Sequence, residues 1–227
     1  MIELFLLNFR YEKFKGFDST AMFTQQKNFG WDYSLARWVS NIINPPLVSV
    51  LGIVLMASYL GTSEAYTWAA VFVSIVVIVP TSYVYLLLRQ GKIENFHIPN
   101  RENRKKPYLV IIGSNLVGVM LMVLFQAPFL LIAFGIMGVM QSTLLYFVNM
   151  YWKISGHTTA ISGLSVFLVA ALGWSLAPIL VMVPLVAWAR IRTYSHTFWQ
   201  TFAGILTGTS FILLTWLLIT RFIMPGL

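Results

Sequence analysis

The sequence contains no cysteine, which excludes disulfide bonds and every metal site built on thiolates. Acidic residues are scarce as well. Glu3, Glu12, Asp18, Asp32, Glu64, Glu94 and Glu102 are the seven, so nothing acidic follows Glu102. A divalent-cation site needs clustered carboxylates, or histidine and cysteine ligands at suitable spacing. The second half of the chain offers neither, so no metal and no cofactor is expected. An intramembrane prenyltransferase, which needs aspartate-rich diphosphate motifs, is disfavoured on the same ground. Charge of either sign is thin: 10% of the residues are charged, where a soluble domain has about a quarter. The opening Met1-Ile2-Glu3-Leu4-Phe5-Leu6-Leu7 lacks a basic lead and a long apolar core, so it does not read as a cleaved signal peptide.

What fills the chain is apolar. Hydrophobic residues make up 58% of it, in continuous runs that reach the roughly 17–25 residues a helix needs to cross a bilayer. Continuous rather than alternating runs predict helices, not a barrel. The expected fold is all-α, a polytopic transmembrane helical bundle. Residues 1–37 are mixed and aromatic and are expected to lie along the interface. Residues 38–227 form one transmembrane domain. Spans are predicted over Trp38–Leu60, Tyr66–Leu88, Tyr108–Phe125, Phe129–Met150 and Trp199–Ile219. The first carries Pro45-Pro46 in its opening turns, where missing backbone donors matter least. Thr159–Leu172 and Trp174–Ala189 are short, and Pro178 and Pro184 are placed to kink the second. The count is seven spans, or six if the short pair is re-entrant.

Counting spans carries a consequence. Two separate the polar loop Arg89–Pro107 from Ser155, and two more separate His157 from Arg190. The loop, the stretch Lys153-Ile154-Ser155-Gly156-His157-Thr158 and the stretch Ala189 to Gln200 should therefore emerge on one face. Their composition suits an anion. Arg101, Arg104, Lys105 and Lys106 supply cations in the loop, and Arg190 supplies a planar fork with Arg192 nearby. Guanidinium matches phosphate oxygens in bidentate geometry. Ser155-Gly156-His157 precedes an apolar helix, whose N-terminus favours phosphate. Two histidines complete a metal-free phosphoryl-transfer set: one attacks phosphorus, the other protonates the leaving oxygen, and the cations stabilise equatorial charge.

Ser155-Gly156-His157 and Arg190-x5-His196-x3-Gln200 resemble the second and third signature blocks of the type 2 phosphatidic acid phosphatase (PAP2) superfamily. The resemblance covers roughly Lys92 to Gly208. It implies a PAP2-like core in which His196 is the nucleophile that forms a phosphohistidine. His157 would protonate the leaving group, and Arg190, Ser155 and the Gly156 amide would hold phosphate oxygens. Arg101 and Arg104 stand in for a first block, Lys-x6-Arg-Pro, that the sequence does not reproduce. Ile154 replaces the usual proline, Ala189 the usual serine, and Gln200 the usual aspartate behind the nucleophile. A Gln carbonyl can accept from an imidazole N–H and fix its tautomer, but it cannot stabilise an imidazolium as a carboxylate does.

Two functions follow from the resemblance. One is a metal-independent membrane phosphatase acting on a lipid phosphate or prenyl diphosphate. The alternative is a non-catalytic PAP2-like protein, a lipid-binding or assembly subunit of a larger complex. Expected partners are membrane lipids and the substrate, and beyond them other membrane proteins or further copies of the chain. Nucleic acid is not expected, because the +8 net charge sits in membrane-flanking loops. Those cations fall almost wholly on one side of the predicted spans, with Arg221 alone opposite, which places the site on the cytoplasmic face.

Overall fold

The computed structural model describes residues 30–96, 98 and 100–222 of the chain. The interfacial segment expected over 1–37 thus lies outside the described residues up to position 29. The chain divides into two units, Met1–Leu35 and Ala36–Leu227. The described residues are helical: α1 (Trp31–Ile42), α2 (Pro45–Leu60), α3 (Ser63–Val73), α4 (Val79–Arg89), α5 (Lys105–Leu124), α6 (Phe129–Tyr151), α7 (Gly156–Leu172), α8 (Met182–Arg192) and α9 (Phe198–Phe222). A π-turn at Ser74–Ile78 joins α3 to α4, and 3-10 turns at Glu102–Arg104 and Trp174–Val181 lead into α5 and α8.

Among the described residues five helical stretches are long and apolar enough to cross a membrane: Ser63–Arg89, Glu102–Leu124, Phe129–Tyr151, Trp174–Arg192 and Phe198–Arg221. The pair α1 and α2 makes a sixth if it is counted as one broken span. Large apolar side chains stay exposed along them, as Leu116, Met120, Val123 and Leu124 do on α5 and Leu213, Leu214, Leu217 and Leu218 on α9. Contiguous apolar surface of this kind marks a face turned to lipid. The chain is a multi-pass membrane protein.

Two predicted spans differ in detail. Trp38–Leu60 is not one helix, because α1 and α2 meet at a bend of 56°. The tandem prolines cause it. Each lacks an N–H, and Pro45 forces the residue before it out of the helical region. Asn44 is accordingly extended (φ −97°, ψ 158°), and its side chain caps α2 by accepting from the Leu47 N–H at 2.9 Å. Pro45 and Pro46 therefore open a new helix instead of occupying the first turns of an older one. In the second span the ladder widens to a π-turn just ahead of Pro80, which cannot donate to it. Of the short pair, Trp174–Arg192 reaches span length as a 3-10 turn running into α8, while α7 has 17 residues.

α7 is the inner helix, packed against α2, α8, α9 and the 3-10 turn before α8. Lipid tails are as apolar as leucine, so helices in a bilayer associate through close packing and small residues. Gly204-x3-Gly208 on α9 faces Thr158, Thr159, Ser162 and Gly163 of α7. A Cβ on Gly204 would stand 2.9 Å from the Ser155 carbonyl oxygen. Hydrogen bonds cross the same seam: the Thr158 hydroxyl donates to Thr201 O at 3.2 Å, and the Ser162 hydroxyl to Ile205 O at 3.3 Å. This seam fixes the N-terminus of α7 against the N-terminus of α9.

Candidate functional site

The site is assembled from helix ends. α8 finishes in a turn in which Tyr194 takes a left-handed conformation (φ 53°). The chain then folds back, and the Arg190 carbonyl accepts from the N–H groups of Ser195 at 3.1 Å and His196 at 3.2 Å. The six-residue spacing of Arg190 and His196 is thus a closed helix C-terminus that brings the two residues onto one turn. Both are buried, at 4% and 7% exposure.

α9 begins with a reciprocal cap. The Gln200 N–H donates to the Thr197 hydroxyl at 3.3 Å, and the Thr197 N–H donates to Gln200 Oε1 at 3.2 Å, the pattern of a Thr-x-x-Gln capping box. The second bond identifies which end of the Gln200 amide is oxygen. Nδ1 of His196 lies 3.1 Å from that oxygen, so Nδ1 carries the proton and Nε2 keeps its lone pair.

Ser155 caps α7, accepting from the Thr158 N–H at 3.4 Å, and its own N–H donates to Gln200 O at 3.3 Å. That backbone bond ties the Ser155-Gly156-His157 stretch to the His196 stretch. His157 is buried in the first turn of α7. The Tyr108 hydroxyl lies 3.6 Å from the position a Cβ on Gly156 would take, so Tyr108 of α5 stands beside the α7 N-terminus.

The basic loop contributes unequally. Arg104 is buried, and its Nε donates to Ile98 O at 2.7 Å. Arg101 pairs at 3.0 Å with Glu102 in a half-exposed ion pair, and its carbonyl accepts from the Asn149 side chain at 3.3 Å. Burial, then Arg190, Arg104 and Lys153, lower the His196 pKa to about 3, against a smaller opposing effect of the Gln200 hydrogen bond. Burial, Arg104 and Arg190 likewise lower the pKa of Lys153. His196, Gln200, Arg190, Arg104 and Ser155 are thus linked by contact or by field, and Gly156 and His157 follow Ser155 directly in the first turn of α7.

Sequence reasoning missed three members. Lys153 was visible two places before Ser155 but was assigned no role. Tyr108 gave no signal, and neither did Ser40, whose hydroxyl accepts from Arg190 Nη1 at 2.6 Å across 150 positions. Among the described residues no three His, Asp or Glu side chains come together as a metal would require. Arg190 Nε and Asn149 Oδ1 are buried without a hydrogen-bond partner among the described residues. A cavity of about 60 Å³ lies deeper in the bundle, lined by Ser49, Asn115, Gln141 and Gly163 among apolar residues. That is well below the roughly 300–1,000 Å³ of ligand pockets. What the arrangement offers chemically is a neutral imidazole with one nitrogen fixed, beside buried cations and a helix N-terminus. No family model, no curated protein and no solved structure matches this chain.

Proposed function

We propose that the protein is a metal-independent membrane phosphatase of PAP2 type, acting on a lipid phosphate or diphosphate through a phosphohistidine on His196. The observation that carries the reading is the hydrogen bond from His196 Nδ1 to Gln200 Oε1, which leaves Nε2 as the lone-pair nitrogen amid Arg104, Lys153 and Arg190. Nε2 attacks phosphorus as the P–O bond to the lipid breaks, and the leaving oxygen takes a proton from His157. Water then attacks the phosphohistidine, the N–P bond breaks, His157 takes the proton, and inorganic phosphate leaves. Arg190, Arg104 and the α7 N-terminus with Ser155 and Gly156 hold the phosphoryl oxygens. The position of the site at helix ends suits an amphiphile whose tail stays in the bilayer. The cation distribution favours a cytoplasmic site. A C-terminal alkaline phosphatase fusion active in bacteria supports that placement under a seven-segment topology; an active cytoplasmic fluorescent fusion instead contradicts it.

One observation favours the second reading, a non-catalytic lipid-binding or assembly subunit. The partner of His196 is a neutral amide, which cannot stabilise the cation as a carboxylate does. Release of inorganic phosphate separates the two. Purified protein in EDTA is assayed on phosphatidate, phosphatidylglycerol phosphate and prenyl diphosphates. Turnover supports the phosphatase, and its absence on all of them supports the subunit.

A further inference from the structure

We propose that Ser40 is the positioning residue of Arg190, and that through it α1 sets the anion-binding edge of the site. The inference rests on the reading of Arg190 as a phosphate ligand. Arg190 Nη1 donates to Ser40 Oγ at 2.6 Å, and Ser40 is 2% exposed. A guanidinium is a rigid plane with five N–H groups. Anchoring one nitrogen fixes where the remaining edge points. Among the described residues Arg190 Nε has no hydrogen-bond partner, and it is buried. A buried donor on a charged group left in that state is costly, and an anion is the partner that relieves it.

The chemistry of the anchor matters too. A carboxylate at position 40 would neutralise the guanidinium and compete with an incoming phosphate. A hydroxyl orients the group and leaves its charge for the ligand. The helix is shaped for this. Ala36, Val39 and Ser40 face inward, whereas Trp38 and Ile42 are exposed at 63% and 43%. The 56° bend before α2 then sets the direction in which α1 carries the hydroxyl. The nearby hydroxyls do not make this contact: Thr193 bonds the carbonyls of Ala189 and Arg190 and pairs with Ser195, and Ala189 has no polar side chain.

The test uses orthovanadate, a phosphoryl-transfer mimic whose binding needs no turnover, on the full chain in detergent with EDTA. Ser40→Ala and Ser40→Cys are compared with wild type, each also in an Arg190→Lys background. Cysteine keeps the shape of serine with a slightly larger atom but is a poor acceptor, and it carries the test if the alanine variant does not fold. The expected result is about a tenfold weaker vanadate affinity for both variants, the worth of a hydrogen bond to a charged group. KM for a lipid phosphate rises in step, while kcat changes less. In the Arg190→Lys background the same substitutions change affinity less than about twofold. Wild-type affinity in both variants overturns the proposal. So does wild-type affinity in the cysteine variant alone, which would make the role one of packing, or an equal loss in the Lys background. Vanadate binding without turnover of any lipid phosphate sinks the phosphatase reading and leaves Ser40 to be judged on binding. A wild-type protein that does not bind vanadate overturns both.

Discussion

Nδ1 of His196 and Oε1 of Gln200 stand 3.1 Å apart, and the same oxygen caps α9 by accepting the Thr197 N–H. One amide therefore fixes both a helix start and an imidazole tautomer. Gln200→Leu removes both functions. Turnover should fall at least about tenfold, the worth of one hydrogen bond, and stability by about 1 kcal/mol for the lost cap. Gln200→Glu keeps the reach of the side chain and adds a charge. It should raise the His196 pKa from about 3, read by NMR titration of labelled histidine. An unchanged pKa in the glutamate variant would show that the contact is not made.

The pH dependence has a definite sign. Burial and three cations disfavour the charged imidazole, so the folded pKa lies below the ordinary 6.5. In the ligand-free protein the His196 imidazole is then neutral at pH 7 and stays so until the pH falls toward 3. The unfolded chain binds this proton nearer 6.5, so the group lowers stability as the pH drops through that interval. The difference in denaturant midpoint between wild type and His196→Gln should be constant above about pH 7 and shift in favour of the variant as the pH falls to about 5. Parallel curves over that range would mean an ordinary pKa.

How much of this was legible in advance depends on distance along the chain. Arg190, His196 and Gln200 fall within one helix end and the next helix start, where spacing translates directly into geometry. Ser155-Gly156-His157 joined them because span counting fixes which ends share a face. Ser40 was not legible: 150 positions and a helix bend intervene, and a single serine in an amphipathic stretch carries no signal. Pro45-Pro46 did carry one, but a proline pair is compatible with a helix's first turn, and the extended Asn44 before it decided for a break. The Gly204-x3-Gly208 spacing was also available and marks a close-packing face on α9, though not that α7 is its partner.

The two loop arginines should behave differently. Arg104 is buried within the field of His196, while Arg101 is half exposed and paired with Glu102. Arg104→Ala should cut kcat/KM by about 100-fold, as loss of a buried charge-assisted contact does. Arg101→Ala should cost less than about threefold, in line with exposed ion pairs. Steady-state kinetics on a single lipid phosphate checks this, and the reverse order would place the phosphate elsewhere on the loop.

The seam between α7 and α9 is tight enough to probe with one methyl group. On Gly204 it would meet the Ser155 carbonyl at 2.9 Å and crowd Thr158 and Thr159. Gly204→Ala should destabilise the protein by about 1–3 kcal/mol, the range for overpacked sites, and depress turnover by displacing the α7 cap. Gly113→Ala on α5 meets nothing within 4 Å and should do neither. Thermal melts in detergent, read beside activity, separate the two positions.

The central claim is a covalent phosphate on His196, and the direct measurement is to trap it. Purified protein in EDTA is mixed with a lipid phosphate labelled in the transferred group, quenched at alkaline pH and digested for mass spectrometry. The account predicts an acid-labile, alkali-stable label on the peptide containing His196, absent from His196→Gln and accumulating in a His157→Gln variant given a substrate with a good leaving group. Hydrolysis that proceeds in His196→Gln, requires an added divalent cation, or leaves the label on another residue would contradict it.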